Sequence, residues 1–231
     1  MARAVRVVAA SLPDDGDAPT RLGLCAHADC NGPTRMLVER RVYDAAVALA
    51  EAYVKQRVQV GAPCDDGPHI GPVASAAQYE RVQALIGVGI AEGARLVCGG
   101  AGPPAGFPRG YYCRPTIFAD VDPSMRIARE EVFGPVLCMA PFDNEEYAVR
   151  LANDSPYGLT SYVQSGDEAR VRRVVPRLRA GMVEVNGARC GSGAPFGGIK
   201  GSGYGREGGV HGLREFLNVK SVAGWPADEP R

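Results

Sequence analysis

The sequence predicts an α/β protein built on a parallel sheet, and three observations carry that expectation. From residue 136 onward, strand-like and helix-like stretches alternate in the order β, α, β, α, β, the pattern of parallel strands joined by covering helices. The strand-like runs are short, apolar and bounded by turn residues. Hydrophobic residues make up 45% of the 231 positions, an ordinary share for a soluble chain long enough to bury a proper core.

Taken in order, Ala4 to Ala10 reads as one short strand, followed by the polar turn SLPDDGDAPT. Arg35 to Val38 is a second extended run. Val47, Ala50, Val54 and Val58 recur at spacings of three and four, which predicts a helix from Tyr43 to Val58. After a Gly/Pro/Asp loop, Ser75 caps a second helix whose inner face carries Val82, Leu85 and Ile86. Leu96 to Cys98 is a strand stopped by Gly99-Gly100. Pro115 to Phe118 and Val136 to Phe142 are extended and apolar. Asp143 with Glu146 predicts a capping box for a helix through Leu151 and Ala152. Leu159 to Val163 is a strand, Asp167 to Leu178 a helix that Pro176 ends or closes, and Met182 to Val185 a strand. A short helix near Val210 to Phe216 leads to a terminal strand, Leu217 to Val222, with no obvious local partner.

Composition excludes several classes. Lys+Arg and Asp+Glu both number 26, so the net charge is zero, and the basic footprint of a general nucleic-acid binder is missing. No apolar run reaches eighteen residues, so no membrane span is expected, and Met1 to Gly16 lacks a signal-peptide build. A cytoplasmic protein is the expectation. The seven cysteines, at 25, 30, 64, 98, 113, 138 and 190, show no CxxC pair, so neither a disulfide scaffold nor a zinc ribbon is predicted. No metal site is expected, since Cys25, His27 and Cys30 lack a fourth ligand and a His27–Cys30 dyad lacks an orienting third group.

Cys30 sits in HADCNGPTR, among polar and turn-forming neighbours that argue for exposure. A lone cysteine is by default a small buried hydrophobe, and Asp29 opposes its ionisation. Gly203, Gly205 and Gly208 satisfy GxGxxG, but no buried strand precedes them and no βαβ unit surrounds them, so a turn is predicted there.

The runs ARLVCGG, GYYCRPTIF, AREEVFGPVL, ANDSPYGL, GMVEVN and APFGGIKGSGYGREGG, in that order, resemble the C-terminal half of the NAD(P)-dependent aldehyde dehydrogenase superfamily. The resemblance runs from about Cys30 to Val222. It implies a parallel-sheet catalytic domain over 23–204, a C-terminal segment over 205–231 with an oligomerisation strand, and an unassigned segment over 1–22. It implies that Cys30 is the nucleophile, forming a thiohemiacetal and then a thioester from an aldehyde, with its backbone N–H holding the oxyanion. Glu131 matches the acid that bonds the nicotinamide ribose, a role a two-oxygen acceptor suits, and Phe133 the aromatic beside it. Asn186 and the loop 187–194 match the segment at the substrate tunnel's mouth. Pro195 to Gly198 would set a tight backbone, with Lys200 and Arg206 as surface or packing residues. The strand Leu217 to Val222 would pair with another subunit's sheet.

The chain departs from the family at His27-Ala28-Asp29, where Gly-Gln usually stands, and at Asn31-Gly32-Pro33, where small residues follow the cysteine. None of the family's upstream motifs is found in residues 1–29. The cofactor-binding Rossmann-type domain, its lysine, the oxyanion asparagine and the glutamate base are therefore expected to be absent. The resemblance then implies NAD or NADP as cofactor, an aldehyde substrate, and little or no turnover by this chain alone. A homo-oligomer or a second chain supplying the other domain is the implied partner. The alternative is a non-catalytic, oligomerising remnant of the family.

Overall fold

The structure is a computed structural model and describes residues 4–8 and 31–225. Among the described residues seven strands form one sheet in the order β3-β4-β5-β2-β1-β6-β7. They are β1 (Ala4–Val8), β2 (Pro33–Glu39), β3 (Arg95–Cys98), β4 (Thr116–Ala119), β5 (Val136–Phe142), β6 (Thr160–Gln164) and β7 (Met182–Val185). Only β3 runs antiparallel to its neighbour; every other pairing is parallel. The sheet thus takes in Ala4–Val8 from the segment left unassigned in sequence. Here β1 sits between β2 and β6, Val8 lying beside both Val38 and Gln164.

Alternation along the strands divides the core into two layers. Met36, Val38, Ile117, Ala119, Leu137 and Met139 face helix α1 (Arg40–Arg57), which buries Tyr43, Ala46, Val47 and Ala50 against them. Leu37, Ala140 and Phe142 point to the other face, as strand geometry requires of successive residues. There α4 (Glu145–Asn153) and α5 (Glu168–Val174) cover them with Ala148, Val149, Leu151 and Val174. Beside these, α2 (Ala76–Ala91) and the single turn α3 (Arg126–Arg129) cover Phe118, Val136 and Cys138 through Val82, Leu85, Ile86 and Ile127. The last helix is α6 (Gly209–Glu215).

Ser75 caps α2 as predicted, its hydroxyl accepting from the Gln78 N–H at 3.2 Å. The predicted capping box at Asp143 does not form. Asn144 is the cap, accepting from the Tyr147 N–H at 2.9 Å. Asp143 is instead drawn to Arg40, and Glu146 to Arg177. Pro176 sits in a 3-10 turn, Val175–Arg177, that closes α5. Leu217–Val222 joins none of the described strands of this chain, and the sheet expected to pair with it belongs to another subunit. Phe216, Val219 and Trp225 around it are largely exposed.

One buried phenol ties α1 to the sheet. The Tyr43 hydroxyl accepts from the Asp120 N–H at 2.6 Å and donates to the Met139 carbonyl at 3.2 Å. Burial, outweighing the Asp120 N–H, pushes its pKa from 10.0 up to about 12. The fold therefore prefers the neutral phenol. That stabilisation is complete below the ordinary pKa and is lost as pH rises through the raised one. Urea unfolding at stepped pH is expected to show wild type losing about 2–3 kcal/mol more than Tyr43→Phe between pH 10 and 12. Parallel curves would refute the burial argument.

Candidate active site

Because β4, β5, β2, β1, β6 and β7 are parallel, their first residues share one edge of the sheet. The segment EEVFGP enters β5 at this edge, and the chain after Cys30 enters the adjacent β2. Neighbouring strands lie about 4.8 Å apart. The two stretches singled out in sequence for chemistry are therefore brought side by side.

The EEVFGP segment is held from α2. Arg81 Nη2 donates to the Glu131 carbonyl and Gln78 Nε2 to the Phe133 carbonyl, both at 2.8 Å. A Cβ at Gly134 would lie 2.7 Å from Val82 Cγ2, so this glycine lets the turn rest on the helix. Residues 78, 81 and 82 lie three and four apart and share one helical face. Glu131 is buried and Val132 sits in the core, while Phe133 remains 39% exposed. Phe133 has φ +53°, a left-handed backbone that costs a bulky residue about 1–2 kcal/mol. Pinning on both sides keeps it there.

Cys30 lies outside the described residues, as do Cys25 and His27. The next residue, Asn31, is held by β6. Tyr162 Oη donates to the Asn31 carbonyl at 2.7 Å, and the Thr160 hydroxyl donates to Asn31 Oδ1. Arg35 is buried and donates through Nη2 to the Ala152 carbonyl at 3.3 Å, at the C-terminal end of α4.

Two further loops interlock on the same edge. Lys200 Nζ donates to the Asn153 and Ser155 carbonyls at 2.9 and 3.2 Å, so α4 ends on two cations, as its dipole favours. Burial first, then the like charges of Arg179 and Arg35, lower the Lys200 pKa. Gly158 accepts from the Gly181 and Ile199 N–H groups and donates to Ser202 Oγ. Arg206 Nη1 donates to the Gly198 and Gly205 carbonyls. Lys200 and Arg206 thus hold loops. Gly203 and Gly208 follow a 3-10 turn, Lys200–Ser202, with no strand ahead of them.

Asn186 stands apart from this edge. It follows the last residue of β7, at the opposite end of the parallel strands. Its Oδ1 accepts from the Ser165 N–H and its Nδ2 donates to the Ser165 carbonyl, both at 2.9 Å. Its φ of +50° is one that asparagine tolerates. A cavity of about 280 Å³ lies at that end too, beside Glu39, Asp143 and Arg170. Glu39 and Arg170 pair there at 3.0 Å. Among the described residues no group of metal-ligating side chains gathers, and no helix is long and apolar enough to cross a membrane.

With this arrangement in view, residues 23–222 match the Aldehyde dehydrogenase family. The chain belongs to the aldehyde dehydrogenase family. It is 52% identical over 196 residues to a 3-succinoylsemialdehyde-pyridine dehydrogenase of a Pseudomonas species, covering 85% of this chain and 41% of that one. The solved aldehyde dehydrogenase of Bartonella henselae is 50% identical, with a TM-score of 0.90 over 97% of this chain and 47% of its own. Aldehyde dehydrogenase C of Pseudomonas syringae, solved as a mutant with NAD+ and octanal, is 43% identical, with a TM-score of 0.92 over 99% and 48%. The chain therefore spans less than half the length of these relatives.

Gln78, Arg81, Thr160 and Tyr162 were not singled out in sequence. Gln78 and Phe133 are 55 residues apart, and Tyr162 and Asn31 are 131 apart. The shared helical face of residues 78, 81 and 82 was the one local signal available.

Proposed function

We propose that this chain carries the thiol-bearing part of NAD(P)-dependent aldehyde oxidation, with Cys30 as the nucleophile. The observation that carries this reading is the convergence at adjacent strand starts of the chain after Cys30 and the pinned EEVFGP segment. The Cys30 thiolate adds to the aldehyde carbonyl to give a thiohemiacetal, whose developing oxyanion a backbone N–H stabilises. Loss of hydride leaves a thioester on Cys30, and water releases the carboxylic acid. NAD or NADP, when bound, supplies the hydride acceptor.

The residues present fit such a cofactor in one respect that the geometry supports. An exposed ring at Phe133, on backbone fixed from α2, is a platform ready before binding. Glu131, two residues earlier, offers the carboxylate for ribose hydroxyls. Asn186, bonded to Ser165 at the far end of β7, acts on substrate only through the 187–194 loop that it anchors.

Calorimetric titration with NAD and NADP tests the cofactor part. Saturable binding is expected, weakened at least tenfold by Glu131→Ala, since a charged group's hydrogen bonds contribute about 1.5–3 kcal/mol. No binding up to millimolar cofactor would remove Glu131 and Phe133 from the proposal. The exposed Phe216, Val219 and Trp225 favour a second role for the C-terminal segment, pairing with another copy of the chain.

A further inference from the structure

We infer that the cavity of about 280 Å³ at the carboxyl ends of β2 and β5 is a binding site for a small neutral carboxamide on an apolar body. The site lies at the opposite end of the strands from the EEVFGP segment and is independent of the aldehyde chemistry.

The topology opens the cavity. Glu39 and Phe142, the last residues of β2 and β5, are partners in the ladder. From Glu39 the chain passes directly into α1 on one face of the sheet. From Phe142 it turns through Asp143 and Asn144 into α4 on the other face. Where adjacent parallel strands send their connections to opposite faces, neither connection covers the strand ends, and open α/β sheets hold ligands in such crevices. Phe142, Ala148 and Val174, each almost fully buried, give the cavity an apolar wall. A cavity of about 150 Å³ already holds a benzene ring, so this one takes a ring or short chain with a polar group attached.

The polar side of the cavity specifies that group. Every carboxylate lining it already has a cation: Glu39 takes Arg170 Nη1 at 3.0 Å, Asp143 takes Arg40, and Glu145 takes Arg173 Nη2 at 3.0 Å. One donor is left over. Arg170 Nε is buried and makes no hydrogen bond among the described residues, since Glu145 Oε2 stands 3.8 Å away, too far for one. A buried guanidinium N–H without an acceptor is costly, and an oxygen seated in the cavity removes that cost. A ligand carboxylate suits the place badly, because it would share the neighbourhood of the Glu145 carboxylate, and like charges that close repel more than the bond returns. A neutral carbonyl avoids the repulsion. An amide NH2 beside that carbonyl donates to Glu145, so one carboxamide serves both sides of the gap between Arg170 and Glu145.

The test is a titration of the 15N-labelled, intact 231-residue chain with benzamide, read by NMR at the Arg170 Nε–H and at the amides of residues 144–148. Saturable shifts confined to these groups are expected, with a Kd of about 1–10 mM for a ligand of this size. Benzoate and benzylamine keep the ring and replace the amide with a charged group. Each is expected to bind at least about tenfold more weakly. Arg170→Lys keeps a cation beside Glu39 but removes the Nε–H, and is expected to weaken benzamide about tenfold, with the spectrum elsewhere unchanged. The ligand series needs no variant, so it decides the matter even where Arg170→Lys does not fold. No saturable shift up to about 50 mM benzamide, or shifts scattered over the surface, would overturn the inference and leave a water as the acceptor. Benzoate binding as tightly as benzamide would overturn the choice of a neutral group, and unchanged affinity in Arg170→Lys would overturn the role of its N–H.

Discussion

Phe118→Ala is expected to lower the unfolding free energy by about 3–5 kcal/mol, the cost of removing a fully buried aromatic from a packed core. Phe118 is the centre of β4, completely buried, with β3 on one side and β5 on the other. Its ring lies against α2 at a glycine, since a Cβ on Gly89 would stand 3.3 Å from the ring and 2.7 Å from Ile127 Cδ1. Helix and strand therefore meet with no spare room. A neighbourhood built this closely has little freedom to collapse into a void. For a typical domain stability of about 5–15 kcal/mol, the loss takes much of the total. Urea denaturation gives the value directly, and Phe118→Leu, which keeps most of the volume, should cost less than about 1.5 kcal/mol. Equal losses for both variants would mean the cavity argument is wrong.

Gly181→Ala is expected to damage the candidate site more than the fold. An ideal Cβ there would lie 1.8 Å from the Gly197 carbonyl oxygen and 2.8 Å from its carbon. Backbone cannot swing aside as a side chain can, so the 195–198 turn must move. The Gly181 N–H also donates to the Gly158 carbonyl at 3.0 Å, and Ile199 N–H to the same oxygen at 2.9 Å, so the displacement reaches both interlocked loops. Forcing even a small group into such a contact costs about 1–3 kcal/mol. The expected result is a loss of that size in denaturation, together with at least a tenfold drop in the rate at which 4-nitrophenyl acetate acetylates Cys30, read by peptide mass on the intact chain. Geometry at a reacting centre is sensitive to shifts of about 1 Å, which can cost about a hundredfold. Undiminished acetylation would show that these loops do not support the reacting thiol.

The central strands were readable because their chemistry is local. β5 and β7 begin and end where the apolar runs do, and Ser75 caps its helix through a bond to a residue three positions on. Misreadings arose where distant residues competed for a local one. Asp143 and Glu146 had the spacing of a capping box, but Arg40 and Arg177 claim them, and the neighbouring Asn144 takes over the helix end. Leu217–Val222 has strand composition without a partner in this chain, since a ladder needs a second edge and the sequence of one segment does not carry it.

The candidate site divides in the same way. Glu131 and Phe133 were legible through resemblance, but not the left-handed backbone of Phe133 or the α2 residues that hold it there. Asn186 was read through resemblance as part of the segment at the substrate tunnel's mouth. The topology puts it at the other end of β7, since a parallel strand carries whatever follows it away from the edge where it began. Thr160 and Tyr162 were read only as strand residues. Their hydroxyls acquire meaning from a neighbour more than 125 positions away.

The place of β1 sets the order in which the protein can be assembled during synthesis. Its partner β6 is encoded 156 residues later, so β1 leaves the ribosome long before one of its two neighbours exists. At roughly 5–20 residues per second that interval is about 8–30 s. Until β6 emerges, the edge of β1 that it fills has no strand to pair with, the kind of surface that chaperones capture and that aggregates. Slow codons between β5 and β6 would lengthen the exposure, and a split of the gene in that stretch would leave two pieces that can complete the sheet only by meeting.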